Sequence, residues 1–229
     1  MKGAVLSDVH GNPWALEAVL SEIDDVDAVF VLGDLVGIGP RPAEALDILK
    51  RDRRVRRVMG NHDHNTLFGT ELGPTENVPR RPHHDWVRSM LSASQLEYLK
   101  CPMELRVRDG VETVFMHRHP KDCGSKVPYF DDPSPEVLDG FYSDVDGDLL
   151  FFGHTHFPLD VTGKTGRRYV NPGAVGAQNG GLASFVVFET ENGVGNLVRK
   201  EAPYDVQAVV DEILREKMPY HRFIVSHFF

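Results

Sequence analysis

The chain has 229 residues, and 25 Lys and Arg against 34 Asp and Glu give a formal net charge of −9. That length fits one large domain or two small ones and buries a core without staples. Its 41% hydrophobic and 26% charged residues exclude disorder over most of the chain, and the acidic balance excludes a broad basic face for nucleic acid or an anionic membrane.

A small anionic substrate stays compatible with this charge, because a bound cation inverts the local field. Eleven His is many for a chain this size, and His is the commonest metal ligand and proton carrier near neutral pH. Cys101 and Cys123 make no disulfide framework and read as small buried thiols. The start, Met1-Lys2-Gly3-Ala4-Val5-Leu6-Ser7-Asp8, meets Gly and acid too early for a signal peptide. No apolar run approaches the ~18 residues of a membrane span. The expected setting is a soluble, cytoplasmic protein.

In chain order, Ala4-Val5-Leu6 is a strand-like run that ends at Asp8. Asn12-Pro13 then caps a helix carrying Trp14, Leu16, Val19, Leu20 and Ile23 at helical spacing. Ala28–Leu32 is continuously apolar, as a strand covered on both faces should be, and stops at Gly33-Asp34. A helix follows over about Pro42 to Arg51, then a strand from Arg54 to Met59 that stops at Gly60-Asn61. This strand–helix alternation predicts a parallel sheet with crossover helices, whose sites gather beyond the strands' carboxyl ends.

Residues 64–82 read as loop. Helical pattern returns at Asp85–Leu91, and Ser92-x-x-Gln95 is a capping box for a short helix to about Leu99. Glu104–Val107 and Glu112–Met116 flank Asp109-Gly110, a hairpin signal. Leu149–Phe152, Arg168–Val170, Ser184–Glu189 and Gly195–Arg199 add strands, with Glu191-Asn192-Gly193 turning the last pair. Asp205 caps a final helix that should turn Val206, Val209, Val210, Ile213 and Leu214 inward. No linker or repeat interrupts the chain, so residues 1–229 read as one domain.

Five loops concentrate ligand-type side chains: Asp8-Val9-His10-Gly11-Asn12, Gly33-Asp34, Gly60-Asn61-His62-Asp63, Met116-His117-Arg118-His119-Pro120 and Gly153-His154-Thr155-His156. One Asp or His at a strand end is ordinarily a turn former. Five such ends in one chain, offering carboxylates, an amide and imidazoles without cysteine, suit one or two divalent ions with open positions rather than a closed structural zinc.

In that order, these motifs resemble the calcineurin-like metallophosphoesterase superfamily. Ser-Asp-Val-His-Gly-Asn and Gly-Asp-Leu-Val-Gly-Ile-Gly-Pro resemble its small bacterial and archaeal branch, as does Asn171-Pro172-Gly173-Ala174-Val175-Gly176. The resemblance covers roughly residues 3–176 and implies a four-layer α/β/β/α sandwich of two mixed sheets flanked by helices. It implies two divalent transition metal ions, with Mn or Fe favoured over Zn, Co or Ni. Asp8, His10 and His156 would hold one ion, Asn61, His117 and His154 the other, and Asp34 would bridge. The implied activity is hydrolysis of a small phosphodiester or phosphomonoester, a nucleotide among the candidates, through a metal-bridging hydroxide. His62 would stabilise charge or protonate the leaving oxygen.

The chain departs from the superfamily's protein Ser/Thr phosphatases at Gly37 and Ile38, where those resemble Gly-Asp-x-Val-Asp-Arg-Gly. Gly37 stands where an acid would orient the catalytic His, and Ile38 where an Arg would bind phosphate. Asp63 or Arg41 are candidate substitutes, against a loop-capping acid and a surface Arg. Arg118 and His119 replace a small pair beside the fifth-loop His, and either meet the substrate phosphate or line the rim. A protein phosphatase and a non-catalytic scaffold on the same fold are the competing readings. The filled His62 and ligand positions speak against the scaffold, and the −9 charge against a nuclease gripping duplex DNA. Outside the proposed site, His64 is close enough in sequence to reach it. His83 and His84 read as solvated, and His221 and His227 as surface residues. The apolar C-terminal end packs on the domain or makes a dimer contact, leaving a monomer or a homodimer.

Overall fold

The expected βα alternation forms through the first half. In the computed structural model, which describes residues 1–70, 81–119, 133–190 and 194–229, β1 (Lys2–Leu6) leads to α1 (Pro13–Leu20), β2 (Ala28–Val31), α2 (Pro42–Arg51) and β3 (Val55–Arg57). The Asn12 side chain accepts from the Ala15 N–H at 3.1 Å and sets the start of α1. After β3 come α3 (Asn61–Phe68), α4 (Arg81–Ser89), α5 (Ala93–Leu99), β4 (Glu104–Arg108), β5 (Glu112–Met116), α6 (Pro135–Phe141) and β6 (Leu149–Phe151). The chain finishes with β7 (Leu159–Thr162), β8 (Arg168–Asn171), β9 (Leu182–Thr190), β10 (Val194–Pro203), α7 (Val206–Glu216) and α8 (His221–Phe228).

These strands make two mixed five-stranded sheets, ordered β10-β9-β1-β2-β3 and β4-β5-β6-β8-β7. The parallel cores are β1-β2-β3 in one sheet and β5-β6-β8 in the other; β9, β10, β4 and β7 pair antiparallel. Val5, Phe30 and Phe188 from one sheet pack with Phe115, Phe151 and Val170 from the other. Phe30 stacks on Phe115 with centroids 4.0 Å apart. The outer face of the first sheet is covered by α1, α2 and α5 through Leu16, Leu46 and Leu99. That of the second is covered by Leu138 of α6 with Tyr142. Helices outside two facing sheets give the four layers the resemblance implied.

Several local expectations change. Residues 61–68 form a helix where loop was expected from residue 64, because the Asp63 carboxylate accepts from the Gly60 N–H at 3.0 Å and closes the first turn. The same carboxylate accepts from the Val36 N–H at 3.1 Å, so Asp63 does cap loops. β7 and α6 had no signal in the sequence reading. Leu214, expected inward, is exposed, whereas Val209 and Ile213 are buried as expected. His83 and His84, expected in solvent, are buried on α4. The C-terminal end packs on the chain through Ile224, which joins Ile38, Val209 and Ile213. The 191–193 turn, Cys123 and parts of the 64–82 and 118–148 stretches lie outside the described residues, and Cys101 is half-buried with a free thiol. Among the described residues, no helix is long and apolar enough to cross a membrane.

The Asn171–Gly176 segment ties the two sheets' loops together. Asn171 Nδ2 donates to the Gly153 carbonyl and to Thr155 Oγ1, both at 3.0 Å. The Val175 and Gly176 N–H groups donate to the Ser7 and Asp8 carbonyls at 2.9 Å. A Cβ at Gly176 would lie 1.7 Å from the Val9 carbonyl oxygen, a backbone clash no rotamer change relieves. Gly176→Ala is therefore expected to cost about 3 kcal/mol in urea unfolding; an unchanged midpoint would refute this contact.

Burial pushes His83 down to about 4. The folded chain keeps this imidazole neutral, whereas the unfolded chain protonates it below about pH 6.5. Its contribution is complete above pH 6.5 and is lost as pH falls toward 4. Between pH 8 and pH 5, the native protein should lose about 2 kcal/mol more stability than His83→Leu. Parallel pH profiles for the two proteins would count against it.

Candidate metal centre

All five ligand-rich loops leave the carboxyl ends of parallel strands, and the backbone holds them side by side. Loop 1 follows β1 and runs along loop 2 after β2: the Asp8, His10 and Gly11 N–H groups donate to the Gly33, Asp34 and Leu35 carbonyls at 2.8–3.1 Å. The loops after β5 and β6 join through Gly153 N–H to the His117 carbonyl at 2.9 Å. The two pairs meet across the sheets where the His154 N–H donates to Asp8 Oδ2 at 3.1 Å. His117 Nδ1 lies 2.8 Å from the Leu32 carbonyl, which fixes that ring's outer nitrogen.

Three donor groups converge, each with its ligand atoms within 4.8 Å of one another: Asp8, His10 and His156; His10, Asp34 and His62; and Asp34, His117 and His154. His10 Nε2 and His156 Nε2 are 3.1 Å apart, and they lie 3.6 and 3.3 Å from Asp8 Oδ1. Asn61 Oδ1 and Asp34 Oδ2 lie 3.0 and 3.3 Å from His117 Nε2. Asp34 belongs to two of the three groups and links them. All seven residues expected as ligands are thus brought together, with His62 beside Asp34 and His10.

This donor set fits divalent ions on the chain's own evidence. Asp8 Oδ1 and His10 Nδ1 are buried without a hydrogen bond of good geometry, and buried polar atoms are rarely left so. Facing Nε2 atoms 3.1 Å apart call for a proton or a cation between them. Such separations suit donors sharing an ion at about 2.0–2.2 Å. Asp8, His10, Asp34, His154 and His156 all hold φ between 49° and 70°. Such left-handed residues cost roughly 1–3 kcal/mol each and persist at sites that need them.

Charge and burial divide the protons. Burial pushes His10 down to about 4, and burial with the His117 charge takes His154 to about 3, so both stay neutral and ready to donate a lone pair. At His117, burial is overridden by the Asp34 carboxylate, which raises it to about 9. Burial likewise opposes ionisation of Asp8, yet His156 holds it at about 2. Asp34 is kept well below the carboxylate range against its burial by His117 and His62. Asp8, His10, Asp34, Asn61 and His117 are buried, whereas His62, His154 and His156 are partly exposed.

The residues expected at the substrate divide. Arg118 is buried beside the cluster, and its charge acts on His154. His119 is turned onto the loop after α6: its Nε2 is 2.9 Å from Asp144, and its ring packs edge-on against Phe141 and Tyr142. The Arg41 guanidinium is held by Glu212 of α7. Sequence reasoning missed His84, whose Nε2 lies 3.2 Å from His62 Nδ1; its only signal was position on an amphipathic helix.

Comparison with known proteins bears on the fold and the family. The calcineurin-like phosphoesterase superfamily domain matches residues 1–193. An uncharacterized protein of Methanocaldococcus jannaschii is 30% identical over 237 residues, covering 94% of this chain and 93% of that protein. A symmetrical bis(5'-nucleosyl)-tetraphosphatase of Klebsiella pneumoniae is 26% identical over 227 residues, covering 91% of this chain and 73% of that enzyme. The crystal structure of a metallophosphoesterase from Sphaerobacter thermophilus superposes with a TM-score of 0.80 at 28% identity, covering 99% and 97% of the two chains.

Adding Mn²⁺ to chelator-treated protein should raise the melting temperature, since a ligand at 100 times its Kd adds about 2.7 kcal/mol. Asp34→Asn should lose most of that rise. An equal rise in the variant would show that the ion binds elsewhere.

Proposed function

Because the chain belongs to the calcineurin-like phosphoesterase superfamily, we propose that it hydrolyses a small phosphate ester at this cluster. The observation that carries the reading is the joining of two donor groups through the shared Asp34 carboxylate. In this reading Asp8, His10 and His156 hold one divalent ion, Asn61, His117 and His154 hold a second, and Asp34 serves both. The mixed nitrogen and oxygen donors suit Mn, Fe, Zn, Co or Ni, and the family resemblance favours Mn or Fe among them. When bound, such ions neutralise phosphate charge and lower the pKa of water, so that it can attack phosphorus near neutral pH.

The chain's own groups do the rest. His62 is partly exposed and sits next to Asp34 and His10. It gives its proton to the ester oxygen as the bond from that oxygen to phosphorus breaks. Arg118, whose charge acts on His154, binds the non-bridging phosphate oxygens. Gly37 and Ile38 leave loop 2 without the acid and Arg of the protein-phosphatase pattern, which favours a small substrate. Likeness to the Klebsiella tetraphosphatase favours a nucleotide within that class.

His62→Ala should keep its metal content and lose at least about 100-fold in turnover on a phosphate ester with an alkyl leaving group. Wild-type turnover in that variant would remove His62 from the reaction. A metal-loaded native protein inert on p-nitrophenyl phosphate, its bis ester, cyclic nucleotides and dinucleoside polyphosphates would overturn the phosphoesterase reading itself.

A further inference from the structure

We propose that His84 is a positioning residue for His62, a role that rests on His62 acting as the proton donor described above. His84 lies on α4, outside all five ligand-rich loops, and is only 2% exposed. Its Nε2 is 3.2 Å from His62 Nδ1, and the two rings meet edge-on at 68° with centroids 5.1 Å apart. A His62 ring whose Nδ1 accepts from His84 Nε2–H cannot flip without breaking that bond, and it keeps its own proton on Nε2. It therefore presents Nε2 as the nitrogen that serves the substrate.

Two further observations fix this pair. Gly37 carries φ +122°, and a Cβ there would lie 2.7 Å from His62 Nδ1. Position 37 thus places no side chain against that nitrogen, and a partner comes from α4. Arg88, one turn along α4 from His84, donates from one guanidinium nitrogen to the Thr66 and Leu67 carbonyls at 2.9 and 2.6 Å. This clamps α4 to the end of α3, the helix whose first turn carries His62. Residues at i and i+4 share a helix face, so the clamp and the His84 ring are held in register against α3. His84 does not touch the substrate in this account; it fixes His62, the ring that does.

The test compares His84→Leu, which keeps volume without a hydrogen bond, with His84→Gln, which can still bond Nδ1. Each is assayed as metal-loaded protein on glycerol phosphate, a poor leaving group, and on p-nitrophenyl phosphate, whose leaving group needs little protonation. His84→Leu should lose about 10- to 100-fold in kcat on glycerol phosphate with KM unchanged. It should lose less than about 3-fold on p-nitrophenyl phosphate. His84→Gln should recover most of the difference, and His84→Leu should add no further loss in a His62→Ala background.

Equal losses on both substrates would mark a merely structural role and overturn the proposal. So would wild-type kcat in His84→Leu, a His84→Gln no better than Leu, or full additivity with His62→Ala. Should His62→Ala itself retain activity, the reading of His62 falls first and the positioning role falls with it. An impaired His62→Ala beside an unimpaired His84→Leu overturns the positioning role alone.

Discussion

Asp34 is a carboxylate with 1% exposure that must stay ionised, and much of the local architecture answers that requirement. Burying a charge is unfavourable by several kcal/mol unless it is paired and hydrogen-bonded. Here the His62 N–H donates to Oδ1 at 2.7 Å, and His117 Nε2 approaches Oδ2 at 3.3 Å. Room for the carboxylate depends on Gly60, where a Cβ would lie 2.1 Å from Oδ1. The same glycine opens α3, so the residue that makes space for the charge also starts the helix that satisfies it. A bound cation would complete a balance that the two sheets already set up.

That requirement explains why the strained residues cluster. Within a strand, successive side chains alternate between the sheet's two faces, so regular strand geometry would split neighbouring donors between those faces. Turning Asp8, His10, Asp34, His154 and His156 into left-handed backbone aims donors from both sheets at one small volume. Hydrogen bonds hold them there: the Asn171–Gly176 segment reaches loop 1 and the loop after β6 at once. Strain and clamp are therefore one device, and the facing sheets are its rigid frame.

The five loops and the four layers were legible because both rest on local pattern. An apolar run that ends in Gly and a ligand-type residue shows a covered strand and the position of its exit. What escaped the sequence depends on distant partners. His83 and His84 look polar and solvated, yet α4 packs against α3 and the C-terminal segment, which no spacing within residues 81–89 reveals. Arg41 looked like a surface cation near a motif, and its partner Glu212 lies far along the chain on α7. The helix over residues 61–68 was hidden because Asn, His and Thr favour it weakly; the Asp63 cap and tertiary contact override that preference.

The acidic charge of the chain and an anionic substrate are compatible for a positional reason. The carboxylates at the cluster, Asp8 and Asp34, are buried and face imidazoles. Arg118 is buried beside the cluster, and its charge acts on His154. Acids on outer surfaces are in part paired with Arg, as with Glu112 beside Arg106 and Arg108, or Asp160 beside Arg168. Net charge reports on association with extended polyanions, where many phosphates meet many side chains. A single phosphate ester meets only the few groups at one site, so the net charge of the whole chain does not exclude it.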